Sequence, residues 1–515
     1  MLAFKHRTIM TILLLVPLSI VAETVLDLKP GLKQLFIDDR FFAESSGIQL
    51  RINPPVKQGP VFQPEQPWES SRLGCYACVV DDAGVYKLWY DAYIGLRLIT
   101  VPRSVCYATS TDGVHWSRRE VNLYDWFGER ENNIVMPGTT ASVMVDPHAA
   151  PEHRFKALGM FFTNHLWSGA AAPGWHKTMG GLHMFSSPDG MHWKRVEGIA
   201  SPFFHDSLNL IQFDERINKH VAYVRTHERG RTISRVVLDD PLQTPWPFRP
   251  PPNSKPNPHG IYPTTRDAYP VVLACDELDP PGTDVQMASI VRYPYAQEVY
   301  IALVALYRHF PETIKGQFSN DGVQDVQLAV SRDGIHWTRP ERKPYISLGL
   351  AGGPEAGCLW PTQGMIRHQD QIYQYYSPTS HTHGDYDDST RGEGGLYLLM
   401  QRLDGFVSAD ADGEGGSFTT PLLRFSGTRL EFNLDASALG SLSVEIRDAD
   451  NRPLPGFTFD ESIPIELNHL AAEARWSSGG NVGELQGKSV RLAVRMRHCK
   501  LYSFQFSGRA MTRRK

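Results

Sequence analysis

Ser110-Thr111-Asp112-Gly113-Val114-His115-Trp116 returns as Ser187-Pro188-Asp189-Gly190-Met191-His192-Trp193 and again as Ser331-Arg332-Asp333-Gly334-Ile335-His336-Trp337. Each copy follows a short strand-like run (Val105 to Thr109, Leu182 to Ser186, Val326 to Val330). Each carries Asp-Gly, which takes the positive φ angles of a tight hairpin turn, and an apolar residue and a Trp then begin the returning strand. A hairpin that closes successive strand-rich units many tens of residues long is the sequence pattern of a β-propeller.

Working outward from these hairpins, the units repeat one order of strands. The first has Gly74 to Val80, Val85 to Tyr93 and Ser104 to Thr109, and the second Ala141 to Asp146, Arg154 to Phe162 and Gly181 to Ser186. Between the last two strands of the second unit lies an inserted loop, Thr163 to Thr178. A third unit lacks the seven-residue pattern but keeps the order, with a strand to Phe213, then His220 to Arg225 and Thr232 to Leu238. The fourth runs through Val285 to Tyr293, Glu298 to Tyr307 and Asp325 to Val330, and the fifth through Cys358 to Arg367, Gln371 to Ser377 and Gly395 to Leu403. The reading is an all-β chain, a five-bladed β-propeller over residues 31–412 followed by a β-sandwich over 417–510. The segment before Trp68 is expected to lend a strand to the last blade, which closes the ring and protects its edges. The acidic, Gly-rich Asp410 to Gly416 reads as the linker.

Among 515 residues, 41% are hydrophobic and 21% charged, which fits a globular protein. The formal net charge of −4 and the absence of a long Lys/Arg run argue against nucleic acid as a partner. Lys5-His6-Arg7 followed by the apolar run Ile9 to Val21 reads as a signal peptide over residues 1–22. Export, to the periplasm or the medium, is therefore expected, with no other membrane association. Six cysteines allow 15 pairings, which sequence does not resolve. Cys75 and Cys78 resemble half a zinc knuckle, but no matching pair follows, and buried thiols are the expectation.

Phe36-Ile37-Asp38-Asp39, Pro67-Trp68-Glu69, Tyr86-Lys87-Leu88-Trp89-Tyr90, the three hairpins and the C-terminal Val444-Glu445-Ile446 to Leu501-Tyr502-Ser503-Phe504 together resemble bacterial exported proteins of the glycoside hydrolase family 32 N-terminal-domain-like group. These are relatives of the five-bladed invertase- and arabinanase-type glycosidases. The resemblance implies a carbohydrate-active propeller. The nucleophile, Arg-Asp-Pro and Glu-Cys motifs of invertase-type enzymes are absent from their expected blades, so no catalytic residue carries over. A scaffold likeness supports fold before activity.

In a propeller the innermost strands begin at one rim of a central funnel, and polar residues at those starts converge there. Glycoside hydrolysis needs two carboxyl groups flanking the scissile bond. The candidates at the five starts are Asp206, Glu69, Glu355 and Asp284, with Asp206 first because it sits in the polar stretch from His205 to Asn209. Trp68, Arg72, His205, Asn209, Arg225, Trp360, His381 and His383 are candidate sugar-binding residues, the tryptophans as stacking platforms. Asp38 and Asp39, and the hairpin aspartates Asp112, Asp189 and Asp333, are expected to be structural. No cofactor is expected. His381 and His383 with Asp385, Asp387 and Asp388 leave room for a divalent cation such as calcium near the axis. Two functions stay open: an exported glycoside hydrolase acting on a poly- or oligosaccharide, and a carbohydrate-binding propeller without hydrolytic chemistry.

Overall fold

The computed structural model describes residues 24–69, 72–93, 103–161, 181–311, 320–384 and 393–508. The expected signal segment and the loop 163–178 lie outside them. The described chain is all-β, its helical content limited to short 3-10 turns, and no helix among the described residues is long and apolar enough to cross a membrane.

Each unit is an antiparallel meander of four strands. The first comprises Arg72–Asp82, Val85–Tyr93, Arg103–Ser110 and Ser117–Arg118, and the second Thr139–Val145, Phe155–Phe161, Leu182–Ser187 and Lys194–Arg195. The third comprises Leu210–Asp214, Lys219–His227, Arg231–Leu238 and Val271–Leu273, and the fourth Thr283–Arg292, Tyr300–His309, Gly322–Ser331 and Trp337–Thr338. In the last unit Cys358–Pro361, Gln371–Thr379 and Leu396–Arg402 are joined by Val56–Phe62, with Phe62 opposite Leu396 and Val56 opposite Met400. The early strand thus completes the last unit, as expected. The first strands of successive units touch one another in chain order, and Cys358–Pro361 touches Arg72–Asp82. This is the cyclic contact of a propeller.

The repeated hairpin holds the units together. In the first copy the Ser110 hydroxyl accepts the Gly113 N–H (2.8 Å), and the Asp112 carboxylate accepts the N–H groups of Val114 (2.9 Å) and His115 (2.8 Å). The His115 ring meets the other Asp112 oxygen at 2.8 Å. Copies two and three repeat every one of these contacts. The three glycines sit at φ of 75°, 83° and 72°. Each glycine carbonyl then accepts a hydrogen bond from the second strand of the preceding unit: Gly190 from Trp89 Nε1 (2.8 Å), Gly334 from the Tyr223 hydroxyl (3.0 Å) and Gly113 from the Tyr375 hydroxyl of the last unit (2.8 Å).

The third unit has no such hairpin, and its seam with the second holds a buried charge network instead. Asp146 meets Lys156 Nζ at 2.5 Å and His220 Nε2 at 2.7 Å, and is 3% exposed. Burial alone would push this carboxyl up, but the Lys156, His148 N–H and His220 contacts outweigh it and bring it down to about 2. An aspartate with a depressed pKa stabilises the fold above its unfolded value of about 3.9 and loses that contribution as pH falls toward 2. Asp146→Asn strands a buried ammonium, so it is expected to cost about 3 kcal/mol at pH 7. Urea midpoints at pH 7 and pH 3 should show a smaller acid-induced loss in the variant than in the parent.

The second domain is a β-sandwich built from both ends of the described chain. One sheet orders Asn468–Glu473, Arg429–Asp435, Cys499–Ser507, Val407–Ala411 and Gln49–Ile52, with Gln34–Leu35 also on Cys499–Ser507. The other orders Leu26–Asp27, Leu423–Arg424, Ser489–Arg497, Gly416–Thr419 and Glu44–Ser46, with Ser441–Arg447 on Ser489–Arg497. The boundaries read from sequence, 31–412 and 417–510, do not follow this pairing. Residues before Val56 belong with the sandwich strands, and Asp410 to Gly416 connects two sandwich strands instead of two domains. The segment Leu35-Phe36-Ile37 explains the join. Phe36 packs on Phe418 and Phe504 in the sandwich core (5.5 and 5.9 Å), whereas Leu35 and Ile37 enter the cluster of Leu303, Val326 and Leu399 in the propeller. Alternation along extended chain sends neighbours to opposite sides. Asp38 accepts from Arg332 of the third hairpin (2.7 and 2.9 Å), a structural role. All six cysteines are free thiols, five of them buried, and Cys78 Sγ lies 3.0 Å from the Val143 carbonyl.

Candidate functional site

The starts of the first strands do gather polar groups at one rim, but only some of the predicted ones. Asp206 stands just before Leu210–Asp214, its side chain 48% exposed, with one oxygen 3.2 Å from Arg225 Nη2. Arg225 is almost fully buried. Asp284 opens the fourth unit, with its carboxylate gripped by Arg231 Nη1 (3.1 and 3.2 Å) and by His309 Nε2 (3.1 Å). Both carboxylates act on the exposed His227. Crowding around its ring, then the like charges of Arg225 and Arg231, push that imidazole down to about 4 against the opposing pull of Asp284 and Asp206. His227 is therefore neutral at pH 7.

The far wall is aromatic. Tyr76 of the first unit meets Trp360 of the last at 6.0 Å, and Trp360 meets His383 at 6.0 Å. His383 lies 5.1 Å from Tyr307, whose ring carries Arg231 at 5.1 Å and faces His309 at 4.5 Å. Burial raises the Tyr76 hydroxyl, with Cys75 and Asp206 adding to the shift and Arg225 and Arg103 opposing it, so these five side chains share one electrostatic neighbourhood. Asp321 comes to the same rim and accepts the Gly384 N–H at 2.7 Å. Beside Asp284 and Arg231, a cleft of about 630 Å³ runs outward between Arg229, Arg266, Pro251 and Thr283.

Two predicted carboxylates are elsewhere. Glu69 is fully buried, and it accepts from the Tyr90 hydroxyl (2.6 Å), Arg118 Nε (2.9 Å) and the Glu65 and Gln66 N–H groups. Because Arg118 belongs to the outer strand of its unit, this pair ties the unit's edge to the preceding turn and does not face the axis. Glu355 pairs with Lys57 on Val56–Phe62, the outer strand of the last unit. Glu69→Gln is expected to leave any turnover within about twofold while lowering stability by about 3 kcal/mol, because Arg118 loses its buried partner. Thermal melts alongside rate measurements check this.

Among the predicted binding residues, Trp68 is buried and donates Nε1 to Asn133 (2.9 Å), so it presents no stacking face. Trp360 is likewise buried within the wall. His205 is locked between the Ser201 hydroxyl (2.7 Å) and the Arg225 carbonyl (2.6 Å), and burial pushes it down to about 4. Asn209 accepts the Arg225 N–H (2.9 Å) and donates to the Ser207 carbonyl, so both residues brace Arg225. His381 is buried and His383 reaches the rim. Arg72 starts its strand opposite Tyr93, with its side chain outside the described residues, as are Asp385, Asp387 and Asp388. Sequence reasoning missed His227, Arg231, Tyr307, His309 and Asp321. A signal existed, because in an antiparallel pair the end of the second strand lies beside the start of the first, as Arg308 does opposite Thr283.

No family model matches the chain. An uncharacterized protein of Mycobacterium tuberculosis strain H37Rv is 26% identical over 158 residues, covering 29% of this chain and 45% of that protein. Its counterpart in strain CDC 1551 is 25% identical over the same length. The match spans less than half the length of these curated relatives. Solved structures similar to the chain include a glycoside hydrolase (TM-score 0.41, 13% identity, 68% of this chain and 93% of the other). A putative glycosidase from Bacteroides thetaiotaomicron (0.39, 13%, 69% and 96%) and a thermostable family-43 glycoside hydrolase (0.36, 12%, 70% and 96%) are also similar. The fold and site on their own define an all-β propeller with a carboxylate, arginine and histidine rim.

Proposed function

We propose that the chain is an exported glycoside hydrolase of the five-bladed propeller kind, akin to the invertase and arabinanase group, acting on a poly- or oligosaccharide at the rim around Asp206. The observation that carries this reading is that Asp206, just before the first strand of the third unit, and Asp284, on that of the fourth, contact Arg225 and Arg231 respectively and both act on His227. Hydrolysis adds water across a glycosidic bond: the leaving oxygen gains a proton and the anomeric carbon gains a hydroxyl. Asp206, half exposed and held by one contact, is the group free to exchange a proton with substrate. Asp284, fixed by Arg231 and His309, supplies a second carboxylate at a set position. Arg231 donates to sugar hydroxyls or to the developing charge, the buried Arg225 holds Asp206 from behind, and the buried Tyr76, Trp360 and Tyr307 wall keeps the rim apolar on one side. Reducing-sugar release from plant, algal and bacterial glycans tests the proposal.

One observation favours the second reading, a carbohydrate-binding propeller without hydrolysis. Both Asp284 oxygens already accept hydrogen bonds from Arg231. A protein that retains a glycan but releases no reducing ends from it decides for that reading.

A further inference from the structure

We propose that Phe204 is the stacking platform for the sugar unit that Asp206 addresses, and that this unit is a pyranose with a continuous apolar face. The inference rests on the rim being a saccharide site. Along residues 203–206 the chain alternates: Phe203 buried, Phe204 exposed (46%), His205 buried, Asp206 half exposed. The two inward residues are anchored. Phe203 packs on Phe248 (5.4 Å), Tyr262 (5.5 Å) and Tyr269 (5.8 Å), and His205 is clamped by Ser201 and by the Arg225 carbonyl. The outward pair is thereby presented on a held backbone. Phe204 makes no ring contact among the described residues.

A single exposed apolar side chain is ordinary on a protein surface. Phe204 differs in what it stands beside. The alternating burial puts Phe204 and Asp206 on the same side of the chain, and residues two apart along an extended backbone lie roughly 6–7 Å apart. That spacing is about the width of one pyranose ring. A sugar stacked by its C–H face on the Phe204 ring therefore has its edge, with the glycosidic oxygen and neighbouring hydroxyls, within reach of the Asp206 carboxylate and of Arg225 behind it. The tryptophans expected to serve as platforms are buried, which leaves Phe204 as the exposed aromatic next to the carboxylate.

The test uses the full chain on an array of immobilised cello-, manno-, xylo- and galacto-oligosaccharides, with reducing-end release from the same sugars measured in solution. Phe204→Ala is expected to lose retention and to raise KM about tenfold, with kcat changed less than threefold. Phe204→Trp is expected to restore both, because any flat aromatic ring serves. The side chain is exposed, so melting of both variants should match the parent. Phe204→Ala retained and turning over as the parent does overturns the platform while leaving hydrolysis intact, and so does a parent retained by none of these pyranose sugars. Retention that depends on Phe204 without any release of reducing ends upholds the platform and overturns hydrolysis.

Discussion

Asp206→Asn is expected to lower glycan turnover about 10³-fold, the loss typical of removing a general acid or base. Asn keeps the shape and one acceptor oxygen, so the contact with Arg225 weakens but survives. The stability cost is then about 1 kcal/mol, because Asp206 is half exposed and its contact is weakened and not removed. Glycan retention should persist, because Phe204 and the arginines are untouched. The same substitution at Asp284 is expected to differ. There, Arg231 and His309 both lose a charged partner, so turnover and stability fall together. Rates, glycan retention and urea midpoints for the two variants separate these outcomes. Turnover within tenfold of the parent in Asp206→Asn removes that carboxylate from the chemistry.

The second large effect is expected at Gly190. Its φ of 83° is one that residues with a Cβ adopt at a cost of about 1–2 kcal/mol. A Cβ there also falls 2.6 Å from Cζ2 of the fully buried Trp89. Forcing that ring aside in a close-packed seam costs about 1–3 kcal/mol more. Gly190→Ala is therefore expected to lose about 2–5 kcal/mol. Gly84, at φ 86° in the turn between the first two strands, has nothing within 4 Å of its Cβ position. Gly84→Ala should show the backbone cost alone. Denaturant midpoints of the pair measure the difference, and a double-mutant cycle with Trp89→Phe assigns it to the seam. Equal losses at the two glycines mean that the hairpin does not grip its neighbour.

Much of the propeller is legible in the sequence because its signals are local. Asp-Gly fixes the turn, Ser and Asp offsets fix the hairpin hydrogen bonds, and the inner strands, up to eleven residues long, are long enough to be seen. The N-terminal sandwich strands are two to four residues long, too short for any period, and only the distant partners Leu423, Phe504 and Ser408 give them their place. The site divides the same way. Position at a strand start picks out Asp206 and Asp284, and equally Glu69 and Glu355, because a strand start looks alike whether it faces the axis or an outer edge. Arg118 and Lys57, the residues that claim those two glutamates, come from other strands, and no local pattern joins them. Phe204 is hidden for the opposite reason: next to Phe203 it reads as one more core aromatic until burial distinguishes the two.

The pairing of Phe62 with Leu396 also sets a timetable. The partners are 334 residues apart, and at a synthesis rate of 5–20 residues per second the early strand waits roughly 20–70 s for its place in the last unit. The strands from Leu26 to Ile52 wait longer still, for residues beyond 400. Throughout that interval they have unmet edges and an apolar face with Phe36 and Phe41 uncovered, a standing invitation to chaperones and to misassociation. Once closure occurs, both domains lock in one late event, so refolding from denaturant should be slow and dominated by that long-range step.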